Sequence, residues 1–551
     1  LAPWPRFERA IGGVKIWQEI TALHGLPLVV VSWRFEYALP GARLCVRPLL
    51  SGRSFHALHH ENPACSLDTR ARGQQWLFQP YAALPAVVSL ASGSFAPEPE
   101  WFRQVLYAAE RERGFEPIED LASPGVLRFD LAAGRADWIV AVDDAATRAF
   151  LGGRSASTVA DDVRQRESAR REAFPGPLER AGDAYLVRRG RGKTIIAGYP
   201  WFGDWGRDTF IALRGLCLAT ERYAEATEIL LAWADVVQGG LVPNRFADDP
   251  SEAPEYNSVD AALWYVLAIG ELIERHPALA ASDRQGLLSA AQRVVAGYLR
   301  GTSHGIAVDQ DGLLAAGAPG LQLTWMDAKV GERVITPRSG KPIEVQALWL
   351  NALARLERLD AAPAGCLARG RTSFAARFDP GAGGLYDVVD VEHRPGAIDA
   401  RLRPNQVFAV GGLPLPLLPA ARCREVLDVV EAELWTPIGL RSLAPSDADY
   451  APHYTGGPSE RDAAYHRGTA WPWLLGPFVE AWVKARGGSE PVRAEARRRF
   501  VVPWRAHLPL AGVGHVSEIA DGDAPHTPRG CPFQAWSLSE LLRVERDVLA
   551  R

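Results

Sequence analysis

The sequence predicts a mainly α-helical protein with a β domain at its N-terminus: an (α/α)6 toroid preceded by an antiparallel β-sandwich. Three observations predict it. Strand-length apolar runs punctuated by Gly, Pro, Asn and Asp dominate residues 1–156. From residue 182 onward, apolar residues recur at three- and four-residue spacing. Within that helical part, polar and aromatic residues cluster just before an apolar helix six times, at intervals of about 40 to 80 residues. Each interval holds one antiparallel helix pair. A plain α-solenoid would share the helical period but not such chemically loaded loops.

In chain order, the strand signals are Leu28-Val-Val-Val-Ser-Trp-Arg-Phe, Ala42-Arg-Leu-Cys-Val-Arg-Pro-Leu-Leu, Gly125-Val-Leu-Arg-Phe-Asp-Leu and Ala136-Asp-Trp-Ile-Val-Ala-Val. They alternate or run apolar over strand lengths and are rich in β-branched and aromatic residues. Residues 157–181 read as a charged linker helix, acidic early and basic late as the helix dipole prefers. A solvated connector suits that composition better than a partner surface. The helical domain spans 182–551, with helices expected over 220–237, 259–274, 283–299, 343–359, 422–433, 471–486 and 534–546.

Hydrophobic content of 47% and charge of 23% describe a globular protein large enough for two or three cores. A net charge of −4 argues against nucleic-acid and anionic-membrane partners. No apolar run approaches the roughly 18 residues of a membrane span, and no leader pattern follows Arg6, Glu8 and Arg9. The chain begins at Leu1 and its only methionine is Met326, so the native start is expected to lie upstream. Six scattered cysteines, with no CxxC, fit a reducing cytoplasm, although Cys45 and Cys65 would be the pair to join in an exported protein. No metal-ligand spacing is present, since His466 and His515 lack His or Cys partners at ligand distance, and no cofactor is expected.

The 18 tryptophans point to a carbohydrate or other large ligand. Tyr199-Pro-Trp-Phe-Gly-Asp-Trp-Gly-Arg-Asp-Thr-Phe is the most informative stretch. Indole faces stack on sugar C–H faces, and an Arg fork beside a carboxylate holds paired hydroxyls. The bland alternative is a core aromatic pair with a local Arg207–Asp208 ion pair. Comparable clusters follow at Pro243-Asn-Arg with Tyr256-Asn-Ser-Val-Asp, Leu323-Thr-Trp-Met-Asp, Arg403-Pro-Asn-Gln, Tyr465-His-Arg-Gly-Thr-Ala-Trp and His515-Val-Ser-Glu.

These stretches, with Thr336-Pro-Arg-Ser-Gly-Lys-Pro-Ile-Glu, resemble in order the amylo-α-1,6-glucosidase portion of glycogen debranching enzymes over about 180 to 540. The N-terminal part resembles the sandwich domain of the bacterial and archaeal members, without the Gly-rich opening segment those proteins carry. The resemblance implies an inverting glycoside hydrolase acting on the α-1,6 branch linkages of an α-glucan such as glycogen or limit dextrin. Inversion requires one protonated carboxylic acid and a second carboxylate that activates water.

The family's general acid matches Asp327, whose neighbours Trp325 and Met326 would raise its pKa. Its bland reading is a helix N-cap. The family's second carboxylate matches Glu518, with Asp521 and Asp523 competing inside the same loop. Around Gly522 these two also suit a turn or an Asx cap. Arg207 and Asp208 are expected on the terminal sugar's hydroxyls, as in the wider glucoamylase-like group. Further substrate contacts are expected from Trp205, Asn257, Asp260, Trp325, His466, Arg467 and Trp471. His466 and Arg467 suit loop packing as well. Glu344 is a weaker candidate, because it would equally serve the first turn of its helix.

Two other functions fit less well. One is a glucosidase on isomaltose, trehalose or maltose-type ends. The other is a carbohydrate-binding protein without catalysis, which the presence of both Asp327 and Glu518 argues against. No room exists for a separate (β/α)8 transferase domain in 551 residues already filled by these two patterns.

Overall fold

The structure, a computed structural model, describes residues 4–246, 253–318 and 320–550, so the outermost limits expected for the two domains, residues 1 and 551, lie outside the described residues. The chain divides into two compact units, Leu1–Pro175 and Gly176–Arg551.

The first unit holds a seven-stranded antiparallel sheet, in spatial order Arg6–Ile11, Val14–Ala22, Leu28–Phe35, Arg135–Val142, Val87–Ala91, Gln75–Phe78 and Thr69–Arg72. A second, three-stranded antiparallel sheet orders Arg43–Val46, Ile118–Asp130 and Ser94–Leu106. The period of two sorts the long strands onto two cores. Leu28, Val30, Ile139 and Ala141 join one, while Trp33, Phe35 and Ala136 join the other with Leu127 and Phe129 of the smaller sheet.

The segment read as a charged connector is a helix over Ala156–Glu172, capped by Ser155, whose hydroxyl accepts the Thr158 N–H. Its residues Ala156, Val159, Ala160 and Val163 are buried in the core of the large sheet. Fully burying each valine contributes on the order of 1.5–3 kcal/mol. The helix thus lies within the first unit, and the division falls after Pro175.

In the second unit the expected helical segments form Tyr223–Ala234, Ala261–Arg275, Ala281–Arg300, Ile343–Arg358, Ala420–Glu433, Leu475–Ala485 and Ala535–Arg543. The structure adds Gly206–Leu213, Cys366–Phe378 and Glu490–Ala496. Two kinds of helix alternate. In Ala261–Arg275, residues Ala261 to Ile273 are all buried, as are Ile343 to Leu356 and the whole of Ala535–Arg543. Ala281–Arg300 and Ala420–Glu433 bury only one stripe. A helix buried all round belongs inside, and a one-sided helix covers it.

The inner elements pack in a cyclic order. Gly206–Leu213 packs on Ala261–Arg275, which packs on Ile343–Arg358, and that on the 3-10 turn Pro404–Phe408. The turn packs on Leu475–Ala485, which packs on Ala535–Arg543, and this last helix returns to Gly206–Leu213. At that return the backbones approach so closely that a Cβ on Gly215 would overlap the Ser539 carbonyl. The Gly215 N–H instead donates to Ser539 Oγ at 3.0 Å, and Ser539 Oγ donates to the Ala212 carbonyl at 2.7 Å.

Short strand pairs at one end of these helices bring distant loops together. Gly198–Tyr199 pairs with Phe533–Gln534, Lys341–Pro342 with Val388–Val389, and Ala470 with Ala520.

Candidate active site

The site is built from the loops that lead into the inner helices. Trp205 precedes the helix Gly206–Leu213, and the Gly206 N–H donates to the Asn244 carbonyl at 2.7 Å. Arg207 and Asp208 therefore leave the first turn in different directions. Arg207 Nε donates to both oxygens of Asp260, at 2.9 and 3.0 Å, and Nη2 to Ser258 Oγ at 3.3 Å. Its Nη1 donates to Asp327 Oδ2 at 3.0 Å. Asp208 instead accepts from Gln534 Nε2 at 3.0 Å. Burial pushes the Asp208 carboxyl up to about 8, against the pull of Arg207 and with the further push of Glu518 and Asp327.

Asp327 emerges from a buried anchor. Trp325 Nε1 donates to Asn405 Oδ1 at 2.7 Å, and its ring stands nearly perpendicular to those of Trp471 and Trp473. Met326 Sδ lies 3.7 Å from Arg403 Nη1 and from Asn405 Nδ2. Past these two residues the Asp327 side chain is 40% exposed. Desolvation raises its pKa, the charge and hydrogen bond of Arg207 oppose that, and the Asp260 carboxylate reinforces it.

Glu518 sits just before the strand Ile519–Ala520 and is 4% exposed. Tyr465 OH donates to Glu518 Oε1, and the Cys531 N–H donates to Oε2 at 3.0 Å. Burial, with the nearby Glu518 and Asp327 charges, keeps Tyr465 protonated well above the usual phenol range. Asp208 and Tyr465 both feel the charges of Glu518 and Asp327, so the four groups share one electrostatic neighbourhood. The competing carboxylates are otherwise engaged. Asp521 pairs with Arg529 through contacts at 3.1 and 3.2 Å and accepts the Tyr454 N–H, while Asp523 accepts from Tyr450 OH at 2.8 Å.

Gly530 touches this arrangement from behind. Its φ is +63°, and a Cβ there would overlap Glu518 Oε2. Gly530→Ala is expected to carry the positive-φ cost of about 1–2 kcal/mol and to displace the carboxylate, lowering kcat/KM by about tenfold or more. Steady-state rates and a thermal melt of the variant check this; a variant matching the parent in both would rule it out.

A cavity of about 270 Å³ opens beside Asp327, lined among others by Trp205, Arg207, Asn244, Asn257 and Gln322. The expected contacts Trp205, Arg207 and Asn257 therefore meet Asp327 at one recess. Asp260 lies behind Arg207. Trp325 and Trp471 are buried, their rings packed against His466 and other indoles, so neither presents an open stacking face. His466 is buried and stacked on Trp471 at 10°; burial and the charges of Arg403, Arg207 and Arg338 hold it neutral, well below the usual histidine range. Arg467 Nη2 donates to the Ile335 carbonyl at 3.1 Å.

Glu344 is buried against Arg338, which also grips Asp387 at 2.8 and 3.0 Å, so its partner is an arginine and not the cavity. Tyr465, Gln534, Asn244 and Gln322 were not singled out from sequence. Tyr465 and Asn244 belong to the polar-aromatic motifs and carried that signal; Gln534 is only the first residue of an expected helix, and Gln322 carried no signal. Among the described residues no group of three or more His, Cys, Asp or Glu is placed to hold a metal ion, and no helix is long and apolar enough to cross a membrane. None of the six cysteines is in a disulfide, Cys45 and Cys65 included.

A solved bacterial glucoamylase complexed with acarbose superposes with a TM-score of 0.61 at 12% identity, covering 99% of this chain and 84% of that one. A rhamnosidase from Klebsiella oxytoca with rhamnose bound aligns at a TM-score of 0.43 and 13% identity over 98% of this chain and 93% of its own, too distant to bear on the site. The chain thus shares the fold of that glucoamylase. Residues 180–543 match the amylo-alpha-1,6-glucosidase family and residues 1–136 the glycogen debranching enzyme N-terminal family. The chain belongs to the amylo-alpha-1,6-glucosidase family. It is 27% identical over 471 residues to the glycogen debranching enzyme of Saccharomyces cerevisiae, an alignment covering 64% of this chain and 30% of that protein.

Proposed function

We propose that the chain is an inverting glycoside hydrolase that removes α-1,6-linked glucosyl branches from glycogen or limit dextrin. The observation that supports this reading is the contrast between two carboxyl groups, Asp327 on Arg207 Nη1 with an edge on the cavity and Glu518 buried against Tyr465 OH and the Cys531 N–H. Asp327 has a raised proton affinity and an exposed edge on the cavity, as a proton donor to a leaving oxygen needs. Glu518 is held by two donors, Tyr465 OH and the Cys531 N–H, which orient it to receive a proton from attacking water. Trp205 offers an indole to the sugar ring, while Arg207, Asn257 and Asn244 offer polar groups to its hydroxyls. The cyclic order of inner helices supports an (α/α)6 toroid with the loops of one end forming the site. Six cysteines outside any disulfide suit a cytoplasmic location.

The test is product analysis on phosphorylase-trimmed glycogen and on isomaltose in parallel. Release of free glucose from the trimmed glycogen, with isomaltose a poor substrate, is the expected result. Turnover of isomaltose alone would replace the branch-point reading with a disaccharide glucosidase.

A further inference from the structure

We propose that Arg207 and Asp260 form a charge clamp behind Asp327, with Asp260 acting as a positioning residue that sets the orientation and proton affinity of the acid without touching sugar. The clamp rests on the reading of Asp327 as the proton donor.

The geometry leaves Asp260 no face for a ligand. It is 1% exposed, both of its oxygens accept Arg207 Nε, and Ser258 Oγ adds a donation at 2.8 Å. Ser258 is fixed in turn, accepting the Ala261 N–H and Arg207 Nη2, each at 3.3 Å. Asp260 itself opens the inner helix Ala261–Arg275, yet its side chain caps no N–H of that helix. It is spent on Arg207. The guanidinium is thereby anchored along Nε and Nη2, leaving Nη1 aimed at Asp327 Oδ2 at 3.0 Å. Arg207 is itself largely covered, with 12% of its side chain exposed.

Two opposed influences then meet on Asp327. Arg207 favours the ionised carboxylate and Asp260 favours the protonated acid. Asp208 and Tyr465 also feel the charge of Asp327, both feel Glu518 as well, and Glu255 lies on the cavity wall. Lys329, two residues along, is taken up by Glu332 at 3.3 Å. Among these, Arg207 is the group that touches Asp327 directly, and Asp260 is the group that holds Arg207.

A general acid works while protonated, so kcat/KM falls as pH rises through the acid's pKa in the free enzyme. Arg207→Gln removes the stabiliser of the carboxylate and should move that alkaline limb to higher pH, by about one unit or more. Asp260→Asn removes the opposing charge and leaves Arg207 to act on Asp327 alone, so the limb should move to lower pH.

The experiment records pH profiles of kcat and kcat/KM for the parent, Arg207→Gln, Asp260→Asn and Asp327→Asn on trimmed glycogen. Opposite displacements of the alkaline limb in the first two variants are expected. A merely structural role would lower rates without moving the limb, and a sugar-binding role for Asp260 would raise KM with the limb in place. Either result, or displacement of both limbs in one direction, overturns the clamp. If Asp327→Asn keeps the parent's turnover and its limb, the reading of Asp327 itself fails. An inactive Asp327→Asn beside unmoved limbs defeats the clamp alone.

Discussion

Asp327→Asn should lower turnover of trimmed glycogen by about 10²- to 10⁴-fold, and Glu518→Gln by a similar factor. Both changes keep size and shape, so the effect isolates proton transfer. In Asp327→Asn the new amide oxygen can still accept from Arg207 Nη1, and in Glu518→Gln the new amide oxygen can still accept from Tyr465 OH or the Cys531 N–H. The two losses should differ in kind. A substrate whose leaving group needs no proton, such as α-glucosyl fluoride, should restore much of the rate of Asp327→Asn. It should not rescue Glu518→Gln, because water still has to be deprotonated. Rescue of Glu518→Gln in place of Asp327→Asn would exchange the roles. The parent should release β-glucose first, as inversion at an α linkage requires. Proton NMR of the initial anomer reads this directly, and first-formed α-glucose would remove Glu518 as the base.

Arg338→Met should produce the largest loss of stability, about 3–5 kcal/mol at neutral pH. Arg338 is buried and bridges two buried carboxyl groups. It reaches Glu344 through Nη1 and Nη2, the latter at 2.6 Å, and Asp387 through Nε at 2.8 Å and Nη2 at 3.0 Å. Nη1 also reaches Thr324 Oγ1 at 3.3 Å. Methionine fills the volume but leaves Glu344 without its arginine and Asp387 facing only the more distant charge of Arg403, whose Nε lies 3.7 Å away. The variant can escape only by protonating them, so its deficit should shrink as pH falls. Removing the whole group, as Arg338→Met with Glu344→Gln and Asp387→Asn, should recover most of the loss. Denaturant midpoints at two pH values measure all three predictions. A single-variant cost below about 1 kcal/mol, the scale of an exposed pair, would mean the network is not holding this end of the helices. Activity should fall as well, because Asp387 also accepts from Asn405 Nδ2 at 2.8 Å, and Asn405 holds Trp325 two residues before the acid.

The helical period was legible in Ala281–Arg300, buried on one stripe, and in Ile343–Arg358, buried all round, but not in Cys366–Phe378, which buries Leu367, Phe374 and Phe378. Gly206–Leu213 was legible only as an apolar run after a motif, because it is short and continues into the wide turn Arg214–Leu218. The helix Ala156–Glu172 misled in a different way. Its many charges suggest solvent on every side, while Val159 and Val163 at four-residue spacing are enough to seat it on a sheet. Composition averages over faces, and burial depends on one face.

Glu344 and Asp260 show the same limit at the site. Each has the chemistry of a sugar ligand, and each is claimed by a protein neighbour, Arg338 and Arg207. Sequence by itself determined which residue types gather at the mouths of the inner helices, since the motifs carry them as contiguous words. Only the tertiary structure decided which carboxyl keeps an open edge and which is spent on an arginine. Arg207 and Asp327 are 120 residues apart in the chain, and Asp208 and Gln534 are 326 apart. A carboxyl's proton affinity is set by desolvation and by charges acting through space, and neither is written in its neighbours along the chain.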